Sequence, residues 1–159
     1  MQTIKLICIG KLKERYWQAA CEEYEKRLRP FCKFEIVELP ESRLSNHPSE
    51  GEICACLETE GKRILEAVGS SLSIPLCIEG KELTSTQLAE QMETFAVTGG
   101  STICFVIGSS YGLSESVKKA GKMRLSMSPM TFPHQLARVM LCEQIYRAFQ
   151  ILHNGKYHK

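Results

Sequence analysis

Short apolar runs and longer amphipathic stretches alternate along the whole chain. Four apolar runs have the length and continuity of buried β-strands, and they cover Ile4–Ile9, Phe34–Leu39, Ile74–Ile78 and Ile103–Ile107. A shorter run, Arg124–Met127, is predicted as a last strand. The run at Ile103–Ile107 is the most continuously apolar, which indicates a central strand covered on both faces of the sheet.

Helical spacing of apolar residues fills the intervals between these strands. The predicted helices cover Lys13–Arg29, Glu50–Val68, Leu88–Val97, Glu115–Lys122 and Pro133–Leu152. Thr84 and Gln87 match a capping box before the third helix. Ser114 is a candidate N-cap of the fourth helix, and Pro133 suits the first position of the fifth. This alternation of strands and helices predicts an α/β fold built on a mainly parallel sheet.

The length of 159 residues predicts one domain that spans residues 1–159. No apolar run approaches the ~20 residues of a membrane-spanning helix. Residues 1–13 contain a short apolar stretch, but they lack the basic region and the cleavage site of a secretory signal peptide. We therefore expect a cytoplasmic protein with no membrane partner.

Eight cysteines raise the alternatives of disulfide bonds or a metal site. Cys8, Cys77 and Cys104 lie inside apolar, strand-like runs, and Cys21 and Cys142 lie inside helical ones. The closest pair, Cys54 and Cys56, has one intervening residue, whereas zinc ligands usually have about two to four. This placement favours buried thiols that act as small apolar groups over metal or redox roles.

Charge is distributed unevenly between the two parts of the chain. Residues 1–113 carry a net charge of −4 and residues 114–159 a net charge of +6. The basic end is where an anionic partner is expected, although ordinary variation of a solvated surface gives the same pattern. The chain contains no aspartate, which excludes Asp-dependent triads, Walker-type magnesium sites and EF-hands.

Three predicted loops follow strand ends, where parallel sheets bind their ligands. They are Glu79–Lys81, Gly108–Gly112 and Ser128–Pro133. The Gly108–Gly112 loop matches neither G-x-G-x-x-G nor a P-loop, and its glycines suit either a close approach to a ligand or a tight turn without one. The stiff apolar stretch Met127–Pro133 suits either the wall of a site for a flat aromatic ligand or a connector under the last helix.

The last predicted helix is apolar on nearly every side. A helix of this kind needs cover from its own core and from a second surface, such as another copy of the chain. Arg138 requires an anion or a carboxylate in this apolar setting, and Glu143 is a candidate to serve such an arginine across a dimer. His134, at the start of the helix, either forms a local hydrogen bond or takes part in catalysis.

The polar tail after this helix, Tyr157–Lys159, is either a frayed terminus or part of a composite site. The predicted helix is about 30 Å long, whereas the segment from Leu152 to His158 reaches at most about 22 Å. The tail therefore cannot readily return to the start of its own helix. A partner's antiparallel helix would bring a tail there.

Several segments together carry a family resemblance. They are G-K-L-K-E-R-Y-W (residues 10–17), L-C-I-E-G-K (76–81), F-V-I-G (105–108), G-L-S (112–114), T-F-P-H-Q (131–135), E-Q-I-Y-R-A (143–148) and Y-H-K (157–159). With these segments the chain resembles the RlmH family of ribosomal large-subunit pseudouridine methyltransferases, of the SPOUT class. The resemblance covers essentially the full chain, and its carboxyl-terminal block is specific.

The resemblance implies a Rossmann-like α/β fold with a C-terminal trefoil knot, working as a homodimer. It implies transfer of a methyl group from S-adenosyl-L-methionine, without a metal, to N3 of a pseudouridine in 23S ribosomal RNA. The target lies in a hairpin of the large ribosomal subunit, at its interface with the small subunit. The resemblance favours the assembled ribosome as the substrate.

The resemblance also places the methyl donor on particular residues. They are Leu76, Gly108, Met127, Ser128, Pro129, Met130, Thr131 and Phe132. Ser109 stands where family members commonly have a second glycine, so a positive φ at this position would strain the turn.

For the chemistry, we predict that His158 and Tyr157 of a partner's tail lie near the target base, with His134 as a second candidate base. Arg138 and Lys159 are predicted to steady phosphate or developing negative charge. Two other classes stay open: a non-catalytic RNA-binding module that uses the basic end, and a thiol enzyme that pairs one cysteine with His134.

Overall fold

The computed structural model describes all residues from Met1 to Lys159. Its strands are β1 (Thr3–Ile9), β2 (Lys33–Leu39), β3 (Leu72–Glu82), β4 (Thr102–Ile107) and β5 (Leu125–Ser126). Its helices are α1 (Arg15–Leu28), α2 (Glu50–Val68), α3 (Ser85–Thr98), α4 (Glu115–Ala120) and α5 (His134–Leu152). None of these helices combines the length and the apolar content that a membrane span requires.

The strands form one sheet in the order β2-β1-β4-β3-β5, and every neighbouring pair is parallel. β4 is the central strand, and all its residues except Thr102 are buried. Strands that helices cover on both faces are apolar without interruption, as β4 is. The predictions of an α/β fold, of a parallel sheet and of a central Ile103–Ile107 strand are therefore confirmed.

Helices cover both faces of this sheet. Successive residues of a strand point to opposite sides, so a single strand contributes side chains to two cores. Ile4 and Leu6 of β1 belong to a core with buried residues of α1, α3 and α5. Ile7 and Ile9 belong to a second core with residues of α2 and α4. α5 supplies Leu141, Cys142, Ile145, Ala148 and Phe149 to the first core.

Two helix starts are fixed by the predicted capping residues. The Thr84 Oγ1 accepts the N–H of Gln87 at 3.1 Å, and the Gln87 side chain accepts the N–H of Thr84 at 2.9 Å. At α4, the Ser114 Oγ accepts the N–H of Val117 at 3.3 Å. Each contact satisfies a backbone donor that the first helical turn leaves free, so both predicted caps are confirmed.

The prediction of a loop at Glu79–Lys81 is wrong, because β3 continues through it to Glu82. Gly80 lets the neighbouring strand approach β3 closely and does not form a turn. A Cβ atom at Gly80 would lie 2.8 Å from the carbonyl carbon of Leu125, in the neighbouring strand β5. The glycine thus lets β3 and β5 pass each other closely, and the register between the strands shifts at this point.

Two predicted element bounds near the carboxyl terminus also need correction. The helix predicted to reach Lys122 ends at Ala120, where Gly121 packs against the ring of Pro75. Pro133, predicted at the first helical position of α5, is its N-cap, with an extended ψ of 141°. Helix α5 therefore begins at His134, directly after the loop that leaves β5.

Candidate active site at the carboxyl ends of the strands

A cavity of about 580 Å³ opens where the carboxyl ends of β3, β4 and β5 meet. Its walls are residues 76–79 of β3, the turn 107–113 after β4, and residues 127–134 between β5 and α5, except Pro129. Its volume lies within the range of small-molecule sites, which are apolar clefts with a few placed polar groups. Leu76, Leu125, Met127 and Phe132 supply apolar wall, and Glu79 and Lys118 supply charge.

The turn after β4 is shaped by its two glycines. A Cβ atom at Gly108 would lie 2.2 Å from the carbonyl oxygen of Gly112, so no side chain fits there. Gly112 has a φ of 88°, which favours glycine, and its N–H donates to the Ser109 carbonyl at 2.9 Å. Ser109 itself avoids positive φ, since Asn154 is the only non-glycine residue with that conformation. The serine therefore fits the turn without strain.

The loop between β5 and α5 is held by its own serines. The Ser126 hydroxyl donates to the Ser128 carbonyl at 3.2 Å, and the Ser128 Oγ accepts the N–H of Met130 at 3.0 Å. These bonds curl the loop at the mouth of the cavity and leave the Met130 side chain 72% exposed. An exposed, flexible thioether at a cavity mouth can pack against a ligand that enters.

An ion pair between Glu79 and Lys118 lies on the rim of the cavity. The Lys118 Nζ is 2.6 Å from the Glu79 Oε1, and it lies 3.8 Å from Glu115 as well. The hydrogen bond from Lys118 lowers the pKa of Glu79, and the same bond raises the pKa of Lys118. Both groups are therefore charged at neutral pH, and the carboxylate keeps acceptor capacity for hydroxyl or ammonium groups of a ligand.

The structure places most residues predicted for the methyl donor around this single cavity. Those that line it are Leu76, Gly108, Met127, Ser128, Met130, Thr131 and Phe132. Pro129 belongs to the same loop but does not line the cavity. Of the residues predicted for chemistry, only His134 lines it, and Arg138, Tyr157 and His158 lie outside it.

Arg138 lies buried between α5 and the ends of β1 and β2. Its Nη1 is 2.7 Å from the Glu38 Oε2, and its Nη2 donates to the Gly10 carbonyl at 3.2 Å. The side chain is only 3% exposed. Glu38 of the same chain therefore supplies the carboxylate that the sequence required.

Glu143 instead receives the tail of its own chain. The Tyr157 hydroxyl donates to the Glu143 Oε1 at 2.8 Å, and this bond raises the pKa of Tyr157. The Arg147 guanidinium pairs with Glu143 at 2.9 Å and lies 4.5 Å from the centre of the Tyr157 ring. Its Nη1 is 3.2 Å from the Nδ1 of His158. The tail thus folds onto the middle of α5, away from the cavity at the start of that helix.

The thiol alternative has little support in this geometry. Seven of the eight cysteines are buried, and only Cys77 lines the cavity. Burial raises the pKa of Cys77, so the nucleophilic thiolate is disfavoured there. Burial also raises the pKa values of Cys8 and Cys32 to about 12.

Sequence reasoning missed the charged rim of the cavity. The sequence predicts Glu79 in a loop and Lys118 in a short helix, and no local pattern connects the two residues. The two residues are 39 positions apart and meet only through the packing of α4 near β3. The one signal was the position of Glu79 directly after the apolar core of β3.

Comparison with known proteins identifies the family of this chain. A family model described as "Predicted SPOUT methyltransferase" matches residues 1–158. The chain is 47% identical over 157 residues to ribosomal RNA large subunit methyltransferase H 1 of Clostridium perfringens, and 48% identical to ribosomal RNA large subunit methyltransferase H of Streptococcus thermophilus. Both alignments cover 98% of this chain and 99% of the relative.

Solved structures show the same fold at much lower identity. A probable methylase family protein from Haemophilus influenzae Rd KW20 aligns with a TM-score of 0.60 and 16% identity, covering 98% of this chain and 70% of the other. A probable methyltransferase from Bordetella pertussis Tohama I aligns with a TM-score of 0.58 and 12% identity, covering 92% and 93%. At such identities the likeness concerns the fold alone.

Proposed function

Because this chain belongs to the SPOUT methyltransferase family, among the ribosomal RNA large subunit methyltransferases H, we propose that it methylates 23S ribosomal RNA. The acceptor is N3 of a pseudouridine, the donor is S-adenosyl-L-methionine, and the working form is a homodimer. The observation that carries this proposal is the cavity at the strand ends, around which seven of the eight residues assigned to the donor gather. Such an enzyme acts in the cytoplasm, where its ribosomal substrate is found.

The cavity suits the chemistry of the donor. Leu76, Met127 and Phe132 offer apolar surface to an adenine ring, and the bare backbone at Gly108 permits a close approach. Glu79 offers acceptor oxygens to ribose hydroxyls or to the amino group of the methionine part. When bound, the donor supplies an activated methyl group on a sulfonium, so that no metal is needed for the transfer.

The chain must then align the acceptor and take its proton. A base of the site would remove the N3 proton, and the bound donor would supply its methyl group to the N3 lone pair while the carbon–sulfur bonding pair remained on sulfur. His134 is the candidate base from the same chain, because it lines the cavity. The partner subunit's His158 and the partner subunit's Tyr157 are the candidates from the second chain, and Lys159 beside them can steady negative charge.

The position of Arg138 supports an indirect role. Its guanidinium is engaged by Glu38 and by the Gly10 carbonyl, and its side chain is almost fully buried. The sequence predicts that Arg138 steadies phosphate or developing negative charge, but an arginine held in this way is poorly placed to contact RNA phosphate. We assign Arg138 to positioning: it ties the first turns of α5, next to His134, to the ends of β1 and β2.

Two features support the homodimer. The tail of each chain folds onto Glu143 and Arg147, far from its own cavity, so a tail can complete a cavity most directly in a second chain. α5 also leaves Leu136, Val139 and Met140 only partly buried in the single chain. This apolar surface suits a second copy. The trefoil knot that the family implies belongs to the same proposal.

The proposal is tested by two measurements on the purified protein. Calorimetry should show S-adenosyl-L-methionine binding to the wild-type chain, and ribosomes with an unmethylated target should accept a labelled methyl group at N3 of the pseudouridine. The competing RNA-binding module predicts affinity for RNA without uptake of the donor. Absence of donor binding, or a methyl group on another atom, would overturn the proposal.

A further inference from the structure

A second cavity, of about 540 Å³, adjoins the turn after β4. It is lined by residues 41–45 after β2, by Cys56 and Glu60 of α2, and by Ser109 and Tyr111. Ser109 and Tyr111 are the only residues that line both cavities. The two cavities therefore adjoin at these two residues.

Glu60 brings a buried carboxylate to the second cavity. The residue is 2% exposed, and none of the ion pairs of the chain includes it. The backbone N–H of Ser42 donates to its Oε2 at 3.0 Å. Buried carboxylates are usually paired with a cation or fully hydrogen-bonded, and two oxygens accept about four hydrogen bonds. Glu60 thus retains acceptor capacity toward a ligand with an N–H group.

Ser109 brings an unused hydroxyl to the same wall. The residue is 9% exposed, and its Oγ is buried without any hydrogen-bond partner. A buried hydroxyl without a partner is destabilising, because it has lost its hydrogen bonds to water. The hydroxyl therefore favours a ligand that offers an acceptor, and it complements the acceptor offered by Glu60.

Packing beside Glu60 holds these two groups near each other. The neighbouring residue Gly61 lies so close to Ser114 that a Cβ atom would be 2.5 Å from the Ser114 Oγ. Ser114 caps α4, which directly follows the turn that contains Ser109. Helix α2 thus packs closely against the start of α4, directly after the turn that contains Ser109.

We infer that the second cavity receives the acceptor base and that Glu60 distinguishes pseudouridine from uridine. This inference rests on the proposed function. A pseudouridine ring has two N–H groups: N3–H, which must face the methyl donor, and N1–H. In uridine N1 carries the sugar and has no hydrogen, so an acceptor for N1–H selects pseudouridine. The Glu60 carboxylate is that acceptor, and the Ser109 hydroxyl donates to a ring carbonyl that both bases possess.

The experiment compares ribosomes that carry pseudouridine at the target position with ribosomes that carry uridine there. The readout is the ratio of kcat/KM for the two substrates. Wild type should prefer pseudouridine, Glu60→Leu should reduce this preference roughly tenfold or more, and Glu60→Gln should reduce it several-fold because a neutral acceptor remains. Ser109→Ala should slow both substrates alike. Glu58→Leu, an exposed position on the same helix, is the matched control and should change nothing.

Calorimetry with S-adenosyl-L-methionine separates the possible failures. The Glu60 variants and Glu58→Leu should bind the donor as wild type does, which also shows that they are folded. If wild type neither binds the donor nor methylates ribosomes, the proposed function fails. If wild type prefers pseudouridine and Glu60→Leu keeps the full preference, this inference alone is overturned. Should Glu60→Leu fail to fold, an unchanged preference in Glu60→Gln overturns it equally.

Discussion

Arg138 and Glu38 meet at 2.7 Å although a hundred residues separate them in the chain. The guanidinium is 3% exposed and the carboxylate side chain 33% exposed. Charge-assisted bonds of this kind are strong when the geometry is good, and the second bond of Arg138, to the Gly10 carbonyl, joins β1 to the same contact. The pair therefore attaches α5 to two strands at the edge where the cavities open.

We expect Arg138→Met to destabilise the chain by about 2–3 kcal/mol. This is less than the roughly 3–5 kcal/mol for fully buried pairs, because the Glu38 left without its partner is a third exposed. Urea unfolding followed by circular dichroism measures the change. Arg27→Met, which removes an exposed pair with Glu23, is the control and should lower the stability much less. Equal losses in both variants would contradict the anchoring role.

Gly108→Ala should weaken binding of S-adenosyl-L-methionine roughly tenfold or more. The added methyl group would meet the Gly112 carbonyl at 2.2 Å, so the turn must open and the cavity wall must move. Isothermal titration calorimetry measures the loss. Gly51→Ala is the matched control, since its nearest neighbour, the Ser49 Oγ, is 3.9 Å away. Unchanged affinity in Gly108→Ala would show that the turn does not shape the donor site.

Removal of the last four residues, Lys156–Lys159, should leave a folded dimer that binds the methyl donor. Methyl transfer should be lost, because the truncated subunits lack Tyr157 and His158. Sedimentation, calorimetry and a ribosome methylation assay test the three parts separately. Lys156→Ala, an exposed position in the same segment, serves as the control. Full transfer by the truncated chain would remove the tail from the mechanism.

The Glu79–Lys118 pair should make a small contribution to stability that depends on pH. The pKa of Glu79 is lowered by Lys118, so the contribution is present above the ordinary value near 4.5 and is lost as the pH falls through the lowered value. The pKa of Lys118 is raised, so the contribution is present below about 10.5 and is lost as the pH rises through the raised value.

Lys118→Met tests this dependence in chemical unfolding experiments at several pH values. The variant should be less stable than wild type between about pH 5 and pH 10, and the difference should shrink at pH 3. Because Glu79 is half exposed, salt should reduce the difference as well. A difference that persists at pH 3 would assign the effect to packing of the lysine stem and not to charge.

Local patterns in the sequence were sufficient for the elements but not for the contacts between them. The continuous apolar run of β4 and the capping residues Thr84 and Gln87 act over a few positions, so their roles were predicted correctly. The sequence predicts a turn at Gly80, but the glycine is required by the close passage of β5, which is a tertiary contact.

The same distinction holds for the candidate site. The loop Met127–Phe132 and Gly108 were predicted from a family resemblance together with turn chemistry, and they share one cavity. The partner of Arg138 lies in β2, and the acceptor capacity of Glu60 depends on which neighbours are absent around it. Neither can be seen from spacing along a chain, since both arise when distant elements pack together.

The hydrogen bond between Tyr157 and Glu143 has a consequence for enzyme assays of this chain. If the tail serves a neighbouring subunit, each subunit must exchange a contact within itself for one across the interface. Dilution then favours the internal contact, and the specific activity should fall at low protein concentration. Kinetic constants obtained at nanomolar enzyme concentration would consequently describe a mixture of active dimers and of subunits whose tail is bound to their own helix α5.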